Sequence, residues 1–393
     1  MPTPTPTATE TLGPTGDGVL RIGALVSMSG DIASTGPGMI AAIEVAVRDV
    51  NAAGGVLGAP VETVYRDAGL VTEDRLESGF ADLVERGVDL VIGPASAELM
   101  QRMLPLAAEA DIAVIASAAP SPTARSAAPA GSLLRTVPAV DRDVVAIMQS
   151  LVDEGAETVA LVAGSDAQGQ AVVDAARAAV AGTATTITAV ERADAATSFS
   201  RLSFSLASSE TDAVVVATTA LSSPQVAELI VALQQRGVPG QTFWFTSAAV
   251  ADYSSALAGG ALEGATGVRA GAASDELLLE RLLQSDPRLV TDRFAAETYD
   301  AVIIAALAAT LAGDDGGPSI ARQFATALNG EVMCTSFGQC LDVLDNERTI
   351  NYDGWSGALG IDDAGDIVTA ELSLFRYDPE NRPEPAGTVS LAG

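Results

Sequence analysis

The sequence predicts an α/β protein built from two doubly wound parallel-sheet lobes. Strand-like apolar runs and amphipathic helical segments alternate along the chain in two successive blocks. At 393 residues the chain is too long for one ordinary hydrophobic core. Its composition, 48% hydrophobic but only 4% aromatic, suits an Ala/Val/Gly-rich α/β protein. These observations favour two domains, each with its own parallel sheet.

The first strand–helix unit, residues 21–67, contains a long polar loop. An apolar run at 22–26 predicts a buried strand, and apolar residues then recur at helical spacing as far as Gly54-Gly55. The loop between them, 27–38, is longer than a strand-to-helix turn requires. Because open α/β sheets bind ligands at the carboxyl ends of their strands, this loop indicates a recognition site.

The same alternation continues through both blocks, and residues 138–140 are predicted to link them. In the rest of the first block the predicted strands are 90–92, 112–116 and 133–137, and the predicted helices are 73–86 and 98–110. In the second block the predicted strands are 158–162, 185–190, 213–217 and 242–245, and the predicted helices are 168–181, 199–208 and 224–236.

The remaining residues contain too few elements for a third core. Helices are predicted at 293–311 and 320–329, and strands at 355–361 and 372–377 around the acidic turn 362–366. That turn lacks the ligand spacing of an EF-hand, so no metal site is predicted. We expect these elements to complete the first two lobes. The chain then crosses between the lobes more than once, which makes a natural hinge.

The charged composition excludes several functions. A net charge of −30 disfavours binding to nucleic acid or to an anionic membrane surface. The chain has no histidine, and all 21 basic residues are arginine, so Ser-His-Asp triads and catalytic or phosphate-binding lysines are absent. A carboxylate-based hydrolase remains an alternative, with Asp31 and Asp166 as candidates that lack a recognisable partner. The sequence therefore predicts a protein without catalytic activity and without a cofactor.

Two further features suit an exported protein. The close spacing of Cys334 and Cys340 favours a disulfide that pins a local loop, with two reduced thiols as the alternative. Residues 1–18 are rich in Pro and Thr and predict a disordered tether, because they cannot build a core. No segment is predicted to be long and apolar enough to cross a bilayer. We expect a mature chain from which a leader has been removed.

Several short segments resemble one family of extracytoplasmic receptors. They are IGALVSMSGDIASTG, DVNAAGGVLG at the end of the first helix, VIGPAS, IAVIAS, LRTVP, SDAQG and the C-terminal run CTSFGQC…INYDGWSGALGIDDAGDI. In order and spacing they resemble the type I periplasmic binding proteins, and most of all the branched-chain amino acid receptors of ABC transporters. The resemblance covers nearly the whole chain from Leu20 to Tyr377.

The resemblance implies two Rossmann-like lobes joined by three crossovers, near 138–140, 268–271 and 369–373. The implied division is a tether at 1–18, an N-terminal lobe of 19–138 plus 271–370, a C-terminal lobe of 139–270 plus 371–385, and a tail at 386–393. It also implies that the lobes close on a small-molecule solute and deliver it to an ABC permease in the membrane. The protein is then expected to be a monomer outside the cytoplasm, lipid-anchored through a removed N-terminal leader or cysteine.

The resemblance also implies a ligand site in the cleft between the lobes. The family binds the ligand's carboxylate with hydroxyls and backbone N–H groups of two loops, here 93–98 and 117–121. An acidic residue of the second lobe usually pairs with the ligand's ammonium, and its position here is Ala248. The implied lining residues are Ser29, Gly30, Thr35, Ser96, Ala97, Ser117, Ala118, Gln168, Ala248 and Phe294.

These positions depart from the family's pattern. Thr35 and Gln168 stand where the family has aromatic residues, and only Phe294 keeps one. Because a buried ammonium without a carboxylate partner is costly, a neutral or carboxylate-bearing solute fits better than a zwitterion. Backbone N–H groups at the start of the helix after Ser96 can still receive an anion.

Two alternatives stay open at this point. The serines could act only as helix caps or turn formers, and Phe294 could be a core residue of its helix. The same scaffold could also be a sensor that passes lobe closure to a signalling partner, which the sequence does not separate from transport.

Overall fold

The structure, a computed structural model, describes residues 15–29, 33–118, 133–209, 211–218, 220–270, 275–362 and 365–391. These residues form sixteen strands and eleven helices. The strands are β1 (Arg21–Val26), β2 (Glu62–Asp67), β3 (Leu90–Ile92), β4 (Ala113–Ala116), β5 (Leu133–Arg135), β6 (Thr158–Gly164), β7 (Thr186–Ala193), β8 (Ala213–Ala217), β9 (Phe243–Phe245), β10 (Thr266–Ala270), β11 (Val332–Cys334), β12 (Ile350–Gly354), β13 (Gly357–Ala358), β14 (Gly360–Ile361), β15 (Ile367–Tyr377) and β16 (Pro383–Leu391). The helices are α1 (Gly36–Ala52), α2 (Arg75–Glu85), α3 (Ala97–Glu109), α4 (Val140–Asp153), α5 (Ala167–Ala179), α6 (Phe199–Ala207), α7 (Ser223–Gln234), α8 (Glu276–Ser285), α9 (Ala295–Ala312), α10 (Gly317–Gln323) and α11 (Phe337–Asp345).

Two parallel sheets form the framework, as the sequence predicts. The first has the strand order β2-β1-β3-β4-β5, and every pair is parallel. The second has the order β14-β15-β10-β9-β8-β6-β7. Its strands β6 to β10 are parallel, whereas β15 runs antiparallel to β10, β14 and β16. A small third sheet joins β11, β12 and β13.

Helices bury both faces of each sheet, which explains why the strands read as uninterrupted apolar runs. On the first sheet, α2 and α3 pack on one face around Phe80, Met103 and Val114. Helices α1 and α9 pack together on the other face. On the second sheet, α6 and α7 cover one face, and α4 and α5 cover the other. We call each sheet with its helices a lobe, the first lobe being the one that contains β1.

Helix α9 is apolar around its whole circumference. Its mean hydropathy of 1.4 over 18 residues is enough, by length and composition, to cross a membrane, contrary to the expectation that no segment reaches that limit. However, 83% of the helix is buried inside the protein, and it packs against α1 and α10. It is therefore the central helix of the first lobe.

Among the described residues, the chain passes between the lobes at three places. The first passage lies between β5 and α4, at the predicted linker. The second lies between β10 and α8, where 271–274 are outside the described residues. The third comes earlier than the predicted position 369–373, because β14 at Gly360–Ile361 already pairs with β15 of the second sheet.

The C-terminal end differs from the predicted boundaries. Strand β15 begins at Ile367, so its first residues belong to the second sheet and not to the N-terminal lobe that was bounded at 370. Residues 386–391, predicted as a tail, belong to β16, whose backbone pairs with β15 as far as Leu391. The cause in both cases is an antiparallel extension of the sheet, which carries no parallel-strand apolar pattern.

Cys334 and Cys340 form a disulfide with their Cα atoms 5.2 Å apart. The bond ties β11 to α11, and both cysteines are buried. The disulfide prediction is confirmed, and the alternative of two reduced thiols is not.

The residues just before β1 are bound to the first lobe. Thr15 and Gly16 donate their backbone N–H groups to the carboxylate of Asp314 at 3.1 and 2.9 Å. Gly18 donates its N–H to Asp315 at 2.9 Å. Both aspartates are buried between α9 and α10. The last part of the predicted tether is therefore ordered, while residues 1–14 lie outside the described residues.

Candidate functional site

The predicted lining residues lie at the carboxyl ends of strands in both lobes, the edge at which α/β sheets bind ligands. Ser29 and Thr35 follow β1, Ser96 and Ala97 follow β3, Ser117 and Ala118 follow β4, Gln168 follows β6, Ala248 follows β9, and Phe294 precedes α9. Gly30 lies outside the described residues. Eight of the nine described residues therefore follow the carboxyl end of a strand, and Phe294 lies at the start of α9.

The loop after β1 contributes two hydroxyls without a partner. Within the described part of the chain, the Oγ atoms of Ser27 and Ser29 are buried and make no hydrogen bond. Thr35 is buried and occupies the N-cap position of α1. A buried hydroxyl without a hydrogen bond is energetically unfavourable, so a ligand that forms a hydrogen bond with Ser29 would remove that cost.

Ser96 acts as a helix cap. Its Oγ accepts a hydrogen bond from Leu99 N at 3.4 Å, and Ala97 begins α3. The capping alternative is therefore correct for the Ser96 side chain. The other N–H groups of the first turn of α3 lie at the same edge and can bind an anion or a carbonyl oxygen.

Ser117 joins the sheet to α9. Its Oγ lies 2.9 Å from Oγ1 of Thr298, and both residues are fully buried. Ala118 beside it is also buried. The Ser117 hydroxyl thus has a structural partner, and its second hydrogen-bonding capacity is what a ligand could use.

In the second lobe, Gln168 lies in the first turn of α5. The preceding Asp166 caps this helix, because its carboxylate accepts a hydrogen bond from Gly169 N at 2.8 Å. Gln168 and Thr218 line the same small niche at the ends of β6 and β8. Asp166 therefore has a capping role, which removes it as a hydrolase candidate, and Asp31 lies outside the described residues.

Ala248 is half-buried beside a fully buried acid. The carboxylate of Asp143, on α4, accepts a hydrogen bond from Ser247 N at 3.1 Å, while its other oxygen has no partner in the described structure. Ser247 Oγ in turn accepts from Ala270 N at 2.6 Å. Burial raises the pKa of Asp143 to about 7.

The segment before α9 reaches across to the second lobe. Arg293 donates through Nη2 to the carbonyl oxygen of Ser247 at 3.4 Å. Its guanidinium also lies over the ring of Phe294, 4.7 Å from the centroid. Phe294 has a left-handed backbone (φ 65°), is 8% exposed and contacts the core, so it combines the pocket and core interpretations. The Arg293 side chain therefore links the segment before Phe294 to the loop that contains Ala248.

Glu297 lies one turn into α9, fully buried. Thr136, on the first passage, donates its hydroxyl to the Glu297 carbonyl oxygen at 2.8 Å. Burial raises the pKa of the Glu297 carboxyl to about 8. The first passage and the start of α9 are thereby tied together.

Sequence reasoning missed the charged residues of this interface. Asp143, Arg269, Arg293 and Glu297 come together from α4, β10, the loop before α9 and α9 itself. No local motif marks them, because they are distant in sequence and meet only through the crossovers. The one available signal is an arginine immediately before Phe294 in a chain poor in basic residues.

The described residues contain no group of three or more acids, cysteines or histidines that could hold a metal ion. What the edges offer instead is a set of hydrogen-bond donors: backbone N–H groups at α3, hydroxyls of Ser29 and Ser117, and the guanidinium of Arg293. Such a set binds and orients a polar or anionic solute.

A family model described as "Periplasmic binding protein" matches residues 19–346. No match is found among curated proteins. Among solved structures, the branched-chain amino acid transporter substrate-binding protein LivJ of Streptococcus pneumoniae, in complex with isoleucine, is 18% identical with a TM-score of 0.68. The similarity covers 95% of this chain and 99% of that one.

Two further structures are similar over nearly their whole length. An ABC transporter solute-binding protein from R. palustris, in complex with 4-hydroxybenzoate, is 17% identical with a TM-score of 0.69, covering 95% of this chain and 97% of that chain. A leucine-binding protein, LivK, from Thermotoga maritima is 18% identical with a TM-score of 0.66, covering 94% and 98%. At these identities the similarity establishes the fold.

Proposed function

Because the chain belongs to the periplasmic binding protein family, we propose that it is the extracytoplasmic solute receptor of an ABC importer. It captures a small polar or carboxylate-bearing solute, amino-acid-like or derived from one, between its two lobes. The observation that supports this proposal is the contact between the segment before Phe294 and the loop before Ala248, where Arg293 donates to the Ser247 carbonyl.

The class of solute is inferred from the hydrogen-bond donors of the first lobe and from the lack of an acidic side chain at position 248. Ala248 replaces the carboxylate that would neutralise an ammonium group, and burying an unpaired ammonium is costly. The first turn of α3 and the hydroxyls of Ser29 and Ser117 favour an oxygen-rich or anionic group. Solved relatives bind isoleucine, leucine and 4-hydroxybenzoate, so a carboxylate is common to the solutes of this fold.

Capture works by a shift from open to closed lobes. Only the closed form lets the solute contact the first lobe near Ser117 and the second lobe near Gln168 at once. Contacts made in one state only are what move such an equilibrium. The three passages between the lobes supply the hinge.

The receptor role implies a membrane permease as partner and a location outside the cytoplasm. The Cys334–Cys340 disulfide is compatible with an oxidising compartment. We propose that the protein acts as a monomer, is attached to lipid at its N-terminal end, and has no catalytic role. The capping function of Asp166 supports the last point.

The test combines a thermal-shift screen with small-angle scattering. The screen covers leucine, isoleucine, benzoate, 4-hydroxybenzoate, aliphatic mono- and dicarboxylates, amides and ureas, because a ligand of the native state must raise its stability. A solute that raises Tm should also reduce the radius of gyration. Ala248→Trp should abolish both effects by filling the cleft, whereas Ala52→Trp, at the exposed far end of α1, should keep them. A solute that raises Tm without compaction contradicts closure.

A further inference from the structure

Two arginines lie near each other where the segment before α9 contacts the second lobe. Arg269 lies in β10, one residue before its end, and Arg293 lies just before Phe294. Both are mostly buried, and each lies close enough to influence the other, because Arg269 helps to lower the pKa of Arg293 after burial itself. They form what we call the arginine pair.

The arginine pair has no ion-pair partner in the described structure. Arg269 makes no hydrogen bond or salt bridge there, and its guanidinium lies over the ring of Phe375, 4.6 Å from the centroid. Arg293 donates only to the carbonyl of Ser247 at 3.4 Å. The Nε atoms of both arginines are buried without an acceptor among the described residues. Most of the donors of two guanidinium groups are therefore unused.

The acids around the arginine pair do not neutralise it. Asp292, Glu297 and Asp143 attract one or both guanidinium groups, but none of them forms a salt bridge with either. Burial raises the pKa of Asp143 to about 7 and that of Glu297 to about 8, so near neutral pH these two carry only part of a negative charge. Two buried positive charges without full compensation are unfavourable, and an incoming anion would relieve that cost.

The arginine pair lies beside residues of the second lobe that are predicted to line the cleft. Arg293 contacts Ser247, next to Ala248, and stacks on Phe294. The opposite end, in the first lobe, holds the free N–H groups of α3 and the unpartnered Ser29 hydroxyl. The site thus has an anion-binding element in each lobe.

We propose that Arg269 and Arg293 bind a second acidic group of the solute, so that the receptor selects small dicarboxylates. This inference rests on the receptor function proposed above. A planar guanidinium donates two parallel hydrogen bonds to a carboxylate, which an amide or a methyl group cannot accept in the same way. In amino acid receptors of this family, an acidic residue near this position pairs with the ligand's ammonium group. The arginine pair carries the opposite charge, so it would pair with an acidic group of the ligand.

The test is calorimetric titration with matched pairs of probes: succinate against succinamate, glutarate against glutaramate, and adipate against adipamate. Each monoamide keeps one carboxylate and nearly the same shape. We expect one diacid to bind about tenfold or more tightly than its monoamide, because only the diacid has a second carboxylate that accepts charge-assisted hydrogen bonds from the arginine pair. Arg269→Gln and Arg293→Gln should weaken diacid binding about tenfold and change monoamide binding by less than about threefold.

Arg288→Gln is the matched control, because Arg288 lies in the same segment with its side chain 94% exposed. It should leave all affinities unchanged. Circular dichroism melts verify folding, and where a Gln variant unfolds, Arg269→Lys and Arg293→Lys take its place; these keep the charge and should retain part of the diacid preference. Monoamides or monocarboxylates that bind as well as the diacids, in the wild type and the variants alike, overturn the inference but leave the receptor function standing. If no solute of any class binds, the receptor function itself fails.

Discussion

Arg135 and Asp366 form an ion pair between the start of the first passage and the turn that joins β14 to β15 in the second sheet. Arg135, the last residue of β5, is 1% exposed, and its Nε donates to Oδ1 of Asp366 at 2.8 Å. Asp366 closes the acidic turn before β15, where its N–H also donates to Asp362 Oδ1 at 2.9 Å. A cavity of about 150 Å³ lies beside the pair. The acidic turn is therefore held against the start of the first passage.

Replacing Asp366 by Asn should destabilise the protein. The change removes the negative charge that Asp366 supplies to the buried Arg135 guanidinium, and we expect a loss of about 2–4 kcal/mol, reduced from the fully buried case because Asp366 is 32% exposed. Urea unfolding measures it. Arg86→Gln breaks the surface pair with Asp82 and should leave the free energy of unfolding nearly unchanged, because solvent screens exposed pairs. If both variants change the free energy of unfolding equally, the Arg135–Asp366 pair contributes no more to stability than a surface pair.

Ser117 and Thr298 allow the structural and the ligand role of a serine to be separated. Ser117→Ala and Thr298→Val each remove the buried hydrogen bond, and each should cost about 1–2 kcal/mol of unfolding free energy. Only Ser117→Ala should also raise the Kd of a bound carboxylate, because only Ser117 lies at the strand end facing the cleft. Chemical denaturation and calorimetry measure the two effects. A similar Kd change in both variants means that Ser117 acts through packing alone.

Stability should decrease as pH rises from about 4.5 to about 8, partly because of Glu297. The pKa of this carboxyl is raised by burial from 4.5 to about 8, so in that range the folded protein holds a proton that the unfolded chain has lost. One such group contributes a slope of up to about 1.4 kcal/mol per pH unit.

Glu297→Gln should flatten this pH dependence, and its Tm should exceed the wild-type value most at pH 8. Melting curves between pH 4.5 and 8.5 measure the difference. Glu98→Gln, at an exposed position in the first turn of α3, serves as the control and should leave the slope unchanged. Parallel Tm profiles of wild type and Glu297→Gln would refute the buried-carboxyl explanation.

The disulfide should stabilise the first lobe without affecting the ligand site. Replacing both Cys334 and Cys340 by Ala opens a short loop, and the chain-entropy model gives a loss of about 2 kcal/mol. Denaturant unfolding and solute titration of the double variant measure both quantities. A large change in Kd would mean that β11 and α11 are coupled to the cleft.

The sequence predicted the parallel strands well because their signal is local. Runs such as 90–92 and 213–217 are buried on both faces and are apolar at every position, and the strands β3 and β8 have those bounds. The end of the chain was harder, because β15 and β16 are an antiparallel pair at the margin of the sheet. Most positions of β16 are exposed, so its sequence is typical of a polar tail.

Local patterns in the sequence mark strand ends but not the charges that the fold brings together. Strand ends followed by Ser, Gly or Pro are visible in the sequence, and eight of the described predicted lining residues follow such an end. The arginine pair and Asp143 could not be found in this way, since β10, α4 and the loop before α9 are far apart in the sequence. Only the folded crossovers place these charges together.

The aspartates that hold Thr15, Gly16 and Gly18 determine how a pull on the leading end of the chain would be carried. Such a force would act on Asp314 and Asp315, just after the C-terminal end of the central helix α9. The packed core of the first lobe would then bear it. The other half is joined to it through the three passages. If the protein is held at its N-terminal end, the first lobe should therefore stay in place while the second lobe moves.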